Sequence, residues 1–126
     1  MKPNGKSILL IDDSKVVREM LQEYFQDHFT VFVASDGEEG ISLYEKHKDE
    51  IGFIVTDIMM PLICGDGVVE YVRSKDENIP ILCITGSCDE EIINKIMSYK
   101  NVKIIQKPFT PSGLHGVIQT MVNEEN

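Results

Sequence analysis

Five short apolar runs at nearly regular intervals constrain this chain more than any other feature. They are Ile8-Leu9-Leu10-Ile11, Val31-Phe32-Val33-Ala34, Phe53-Ile54-Val55, Ile81-Leu82-Cys83-Ile84, and Val102 to Ile105 with Lys103 inside it. The first four are continuous rather than alternating and rich in β-branched residues. That pattern suits strands covered on both faces, as in a parallel sheet. The runs end near positions 11, 34, 55, 84 and 105, so 21 to 29 residues separate one end from the next. Each interval holds one helix and two short loops. Five such βα units fill a chain of 126 residues, which is the length of one domain.

Helical periodicity supports the intervals. Val16, Val17, Met20, Leu21, Tyr24 and Phe25 fall on one stripe of a helix, as do Leu114, Val117, Ile118, Met121 and Val122. Ile92, Ile93, Ile96 and Met97 form a shorter stripe, and Ile41/Tyr44 and Val68/Val69/Val72 shorter ones still. Asp36-Gly37-Glu38-Glu39 and Ser87-Cys88-Asp89-Glu90 both read as capping boxes, an acceptor side chain followed three residues later by Glu. Thr110-Pro111 places a capping hydroxyl before a proline at the first helical position. Gly113 and Gly116 weaken that last helix, so packing must hold it. A polar tail, Asn123 to Asn126, is expected to fray.

Charge narrows the function. Asp plus Glu is 21 and Lys plus Arg is 12, a net charge of −9. Such a surface repels phosphate backbones and anionic lipid headgroups, which argues against direct nucleic-acid or membrane binding. No apolar run approaches the ~20 residues of a membrane span. The polar stretch Met1 to Lys6, followed by an apolar run that stops at Asp12, does not read as a signal peptide. Three cysteines (Cys64, Cys83, Cys88) without metal-ligand spacing fit a reducing cytoplasm. His28, His47 and His115 read as surface residues, and Met59 and Met60 as loop packing.

Chemistry gathers where the runs end. Asp12-Asp13 follows the first, Asp57 the third, Thr85-Gly86-Ser87 the fourth, and Lys107-Pro108 the fifth. In a parallel sheet those ends share one rim, where ligands of open α/β sheets bind. Three carboxylates, a hydroxyl and an ammonium therefore converge. Clustered carboxylates either take up protons or bind a cation. All-oxygen ligation with few protein ligands suits Mg²⁺. A carboxylate beside such a metal can attack phosphorus, with metal, ammonium and hydroxyl stabilising the transferring oxygens. Taken singly, each residue has a plainer reading. Asp12-Asp13 could cap a helix, Asp57 could close a strand, Thr85 could cap, and Lys107 could be a solvated loop lysine.

The motif set Asp12-Asp13, Asp57-Ile58-Met59-Met60-Pro61 with Gly65, Thr85-Gly86 and Lys107-Pro108-Phe109 resembles the receiver domain of two-component response regulators, most of all chemotaxis-type single-domain receivers. The resemblance spans Ile8 to the last helix. It implies a flavodoxin-like α/β fold: a doubly wound five-stranded parallel sheet of order 2-1-3-4-5 with five helices, in a single receiver domain over 1–126 with a core of about 7–122. It also implies a phosphorylation-activated switch rather than an enzyme, with self-phosphorylation and autodephosphorylation as its only chemistry. Asp57 would accept the phosphoryl group. Asp13 would bind Mg²⁺ directly and Asp12 through water, with Asp57 and the Met59 carbonyl as further ligands. Lys107 would contact the phosphoryl oxygens and pair with Asp57 beforehand, Thr85 would swing in to the phosphoryl group, and the Lys107-Pro108 bond would be cis. Implied partners are a histidine kinase or phosphotransfer protein and a downstream output protein or C-terminal effector domain, acting on a cytoplasmic monomer or weak dimer. The family usually carries an aromatic residue three positions before the lysine. Ile104 stands there and cannot make the aromatic's inward and outward rotamers.

Three other readings compete. A haloacid dehalogenase-type phosphatase needs a second acid two residues after its nucleophile, where this chain has Met59. A flavodoxin-like electron carrier needs a phosphate-cradling loop where this chain has Asp12-Asp13-Ser14. A degenerate receiver would act as a scaffold without phosphorylation.

Overall fold

The five apolar runs are strands. The computed structural model describes residues 7–60, 62–86 and 89–125. Met1 to Lys6, Pro61, Ser87, Cys88 and Asn126, on which some of the expectations rest, lie outside them. The order is β1 (Ser7–Ile11), α1 (Lys15–Phe25), β2 (Val31–Ala34), α2 (Gly37–His47), β3 (Ile51–Asp57), α3 (Gly65–Lys75), β4 (Ile81–Thr85), α4 (Glu90–Met97), β5 (Val102–Gln106) and α5 (Pro111–Glu125). All strand pairings are parallel, in the order β2-β1-β3-β4-β5. No helix among the described residues is long and apolar enough to cross a membrane.

Side-chain alternation along each strand divides the core between the two faces of the sheet. Ile8 and Leu10 of β1, with Phe53, Val55, Leu82 and Ile84, meet Leu21 and Phe25 of α1 and Leu114, Ile118 and Met121 of α5. Leu9 and Ile11, with Ile54, Ile81 and Cys83, meet Tyr44 of α2, Val68, Val69 and Val72 of α3 and Ile96 of α4. The inner strands β1, β3 and β4 are buried throughout, whereas Val31 to Val33 of β2 are only half-buried because β2 is a sheet edge. The α1 stripe is also narrower than its periodicity suggests. Leu21 and Phe25 are buried, but Val16 is 75% exposed and Met20 38% exposed.

Capping accounts for most helix starts. Asp36 Oδ1 accepts from the Glu39 N–H at 2.8 Å, and Glu39 Oε1 accepts from the Ser35 N–H at 2.6 Å, a capping box reaching back one residue further than usual. Thr110 Oγ1 accepts from the Gly113 N–H at 3.0 Å. The box expected at Ser87 falls outside the described residues; the cap of α4 is Asp89, which accepts from the Glu91 N–H at 2.7 Å, so the helix starts at Glu90. An Asp just before a Glu-Glu pair is well suited to that role. α5 stays helical to Glu125, through most of the stretch expected to fray. Its interior glycines cost roughly 1 kcal/mol each, against roughly 1.5–3 kcal/mol for each of the buried Leu114, Ile118 and Met121, so packing wins.

Two glycines should respond oppositely to substitution by alanine. Gly116 is exposed, and a Cβ there would meet nothing within 4 Å. Gly116→Ala should therefore raise stability by about 0.5–1 kcal/mol in urea denaturation. Gly65 opens α3 against the end of β3, where a Cβ would lie 2.6 Å from the Asp57 carbonyl oxygen and 2.7 Å from Ile58 Cα. Gly65→Ala should lose about 1–3 kcal/mol, because only backbone can give way.

Candidate functional site

Sheet register brings the acids together. Ile11 pairs with Thr56, so Asp12 and Asp57 leave neighbouring strands at the same level. Asp57 itself pairs with Ile84, and Thr85 with Gln106, which sets Thr85 and Lys107 at the same rim. Backbone bonds carry the ladder past the strand ends. The Asp12 N–H donates to the Ala34 carbonyl at 3.1 Å, that of Ile58 to Ile84 at 3.0 Å, and that of Lys107 to Thr85 at 2.7 Å. The Lys107-Pro108 bond is cis.

One carboxylate oxygen from each of Asp12, Asp13 and Asp57 lies within 4.8 Å of the others. Asp12 and Asp57 are buried and Asp13 is exposed, so the cluster opens to solvent on one side. Lys107 Nζ stands 3.5 Å from Asp57 Oδ2. Asp12 Oδ1 accepts from the Ser14 N–H at 2.8 Å, but its Oδ2 is buried without a partner. Thr85 Oγ1 is likewise buried and unpartnered. An orphaned carboxylate oxygen among two other carboxylates is a donor set suited to a hard divalent cation. The orphaned hydroxyl is a donor facing a rim where an anionic group could accept from it.

Electrostatics follow the geometry. Burial pushes the Asp12 carboxyl above the usual carboxylate range, the Ser14 N–H draws it back, and the charge of Asp57 raises it again. Burial also raises Asp57, opposed by the Lys107 ammonium. The half-buried ammonium pairs with Asp57, and one positive charge cannot neutralise three acids.

Every side chain assigned to the site from sequence except Met59 is in this constellation. Met59 departs from the loop-packing expectation. Its side chain is 52% exposed, while Met60 turns into the core. Sequence reasoning missed two supports. Ser14 is the cap of α1, accepting from the Val17 N–H at 3.3 Å, and Arg18 Nη1 donates to the Asp12 carbonyl at 2.8 Å. Together they hold the turn that carries both acids. Only the Ser14 hydroxyl at a strand-to-helix junction signalled this. Cys83 is buried, and Cys64 is half-buried with Sγ 3.5 Å from the Met60 carbonyl oxygen. Ile104 is half-buried, packed with Cys83 and its neighbours on the α3–α4 face.

Comparison with known proteins agrees with this geometry. The family described as the response regulator receiver domain matches residues 8–119. The chain is 33% identical over 113 residues to hybrid signal transduction histidine kinase D of Dictyostelium discoideum, covering 88% of this chain and 7% of the kinase. It is 30% identical over 115 residues to transcription factor SKN7 of Saccharomyces cerevisiae, covering 90% of this chain and 18% of that protein. The chain thus spans less than a fifth of either relative. Among solved structures, the chemotaxis response regulator CheY4 of Vibrio cholerae superposes with a TM-score of 0.82 at 28% identity, covering 92% of this chain and 98% of that one.

The orphaned oxygen yields a pH-dependent expectation. An acid raised by folding stabilises the fold when protonated, and that contribution is lost as pH climbs from about 4 through the raised value. Asp12→Asn keeps an oxygen for Ser14 and offers an amide to the remaining acids. Without metal it should be about 1–2 kcal/mol more stable than the parent at pH 7. The gap should close below pH 4, as read from urea denaturation at each pH.

Proposed function

The chain belongs to the response regulator receiver family, and from that premise we propose that it is a phosphorylation-controlled switch whose phosphoacceptor is Asp57. The convergence of three carboxylates and one ammonium at the sheet rim carries this reading. Asp12, Asp13, Asp57 and the Met59 carbonyl would hold Mg²⁺. When bound, the ion supplies positive charge to the oxygens of the transferring phosphoryl group.

The protein's own groups have defined tasks. A histidine kinase or phosphotransfer protein presents a phosphohistidine. A carboxylate oxygen of Asp57 attacks phosphorus, the P–N bond breaks, and the imidazole leaves with the bonding pair. The donor loses what Asp57 gains, so one phosphoryl group moves and no water is consumed. Lys107, already 3.5 Å from Asp57, exchanges its carboxylate partner for a phosphoryl oxygen. Thr85 supplies its unpartnered hydroxyl to another such oxygen. Phosphorylation adds about 1.5–2 negative charges, which bias the loops around Thr85 and Lys107 toward a form that a downstream output protein or effector domain recognises. We assign this activity to the cytoplasm and to a monomer or weak dimer. Ile104 cannot rotate as an aromatic would, so the movement of Thr85 must be passed on through aliphatic packing with Cys83.

Incubation with acetyl phosphate and Mg²⁺ should add one phosphoryl group by intact-mass measurement. The gain should disappear in Asp57→Asn and when the metal is chelated. Labelling that persists in that variant would place the acceptor elsewhere. We further propose that the exposed Met59 side chain, two residues after Asp57, covers the phosphoryl group and hinders attacking water. Met59→Asn should shorten the phosphorylated lifetime severalfold, measured by loss of the added mass over time.

A further inference from the structure

Where α1 ends against α5, one imidazole is enclosed by rings. The ring of His115 lies 5.6 Å from those of Tyr24, Phe25 and Phe29 and 4.5 Å from that of His28, all roughly edge-to-face. Tyr24 Oη is hydrogen bonded to His115 Nδ1 at 3.0 Å. The neutral imidazole suits this place: either tautomer can pair Nδ1 with the Tyr24 hydroxyl, and the rings of the buried Phe25 and Phe29 pack on the remainder. Both histidines, distant from the acidic cluster in sequence, read as surface residues, yet only His28 is exposed and His115 is half-buried.

A charge here has little to balance it. Glu23 and Asp27 of the α1 flank line a groove with Met20 and Tyr24. Among the described residues neither acid, nor any other, forms an ion pair with His28 or His115. The sheet beneath contributes mostly apolar side chains, and Lys103 of β5, which pairs with Leu82 between strands, adds a cation rather than an acid to that face. Two imidazolium rings 4.5 Å apart would repel each other.

We propose that the α1–α5 seam is a proton-sensitive joint, in which protonation of His115, packed among the rings of Tyr24, Phe25, Phe29 and His28, weakens the packing of α1 on α5. The inference is independent of phosphorylation, because neither histidine touches the acidic cluster. Burial, and then the charge of His28, hold the His115 imidazole below its ordinary value of 6.5. The unfolded chain therefore binds the proton more readily than the folded one. Stability is full above about pH 6.5 and is lost as pH falls below it.

The test is an NMR titration of the imidazole protons of the whole chain, alone and as His28→Gln. His115 should titrate below 6.5 in the parent and move upward in the variant. Urea midpoints at pH 7 and pH 5 should fall more for the parent than for His28→Gln or His115→Gln. Each unit of displacement at His115 is worth up to tenfold in the unfolding constant. The two Gln variants share the site's raised carboxylates, so those cancel from the difference. His115 titrating at or above 6.5, or unmoved by His28→Gln, would overturn the proposal. So would equal acid losses in the parent and His28→Gln.

Discussion

Mutual repulsion among Asp12, Asp13 and Asp57 is the constraint around which the rest of the molecule is arranged. Carboxylates at that spacing do not gather unless the backbone compels them. The compulsion here is the parallel register of β1, β3 and β4, whose cores are buried on both faces and resist local adjustment. Apolar burial across two core layers thus holds in place a polar rim that works against the stability of the isolated domain. Sites of this kind are expected to be locally inconsistent with the fold around them.

The supports of that rim divide by strand. Ser14 and Arg18 fix the turn after β1, Gly65 lets α3 close on the end of β3, and the Thr85–Lys107 backbone bond ties β4 to β5. Among the described residues, the ion pair to these acids comes from Lys107, and it answers Asp57. Asp12 and Thr85 keep one buried atom each without a partner. Those two orphans flank the acid proposed to be phosphorylated, one suited to a cation and the other to an anion. Under the proposed function, these two groups would serve a metal-bound phosphoryl group.

Much of this was legible in the sequence because it depends on local pattern. A strand buried on both faces must be apolar throughout, so Ile8–Ile11 and Ile81–Ile84 announced themselves. Residues just past such runs share a rim in any parallel sheet, which made Asp12, Asp57, Thr85 and Lys107 readable as one group. What failed depends on neighbours. Periodicity marked Val16 and Met20 as apolar but could not show how far α5 and the sheet extend to cover α1. Asp89 caps α4, one residue before a Glu-Glu pair, a position the box read from Ser87 did not single out. His115 is enclosed by residues about 90 positions earlier, a contact invisible to any local window.

The central claim is that the three carboxylates form one divalent-cation site around Asp57. Mn²⁺, a paramagnetic substitute for Mg²⁺, tests it most directly by broadening NMR resonances near wherever it binds. Substoichiometric Mn²⁺ should erase the amide signals of residues 11–14 and 56–59 first, excess Mg²⁺ should restore them, and Asp13→Asn should weaken the effect. Broadening spread evenly over the acidic surface, or centred away from those strand ends, would contradict the account.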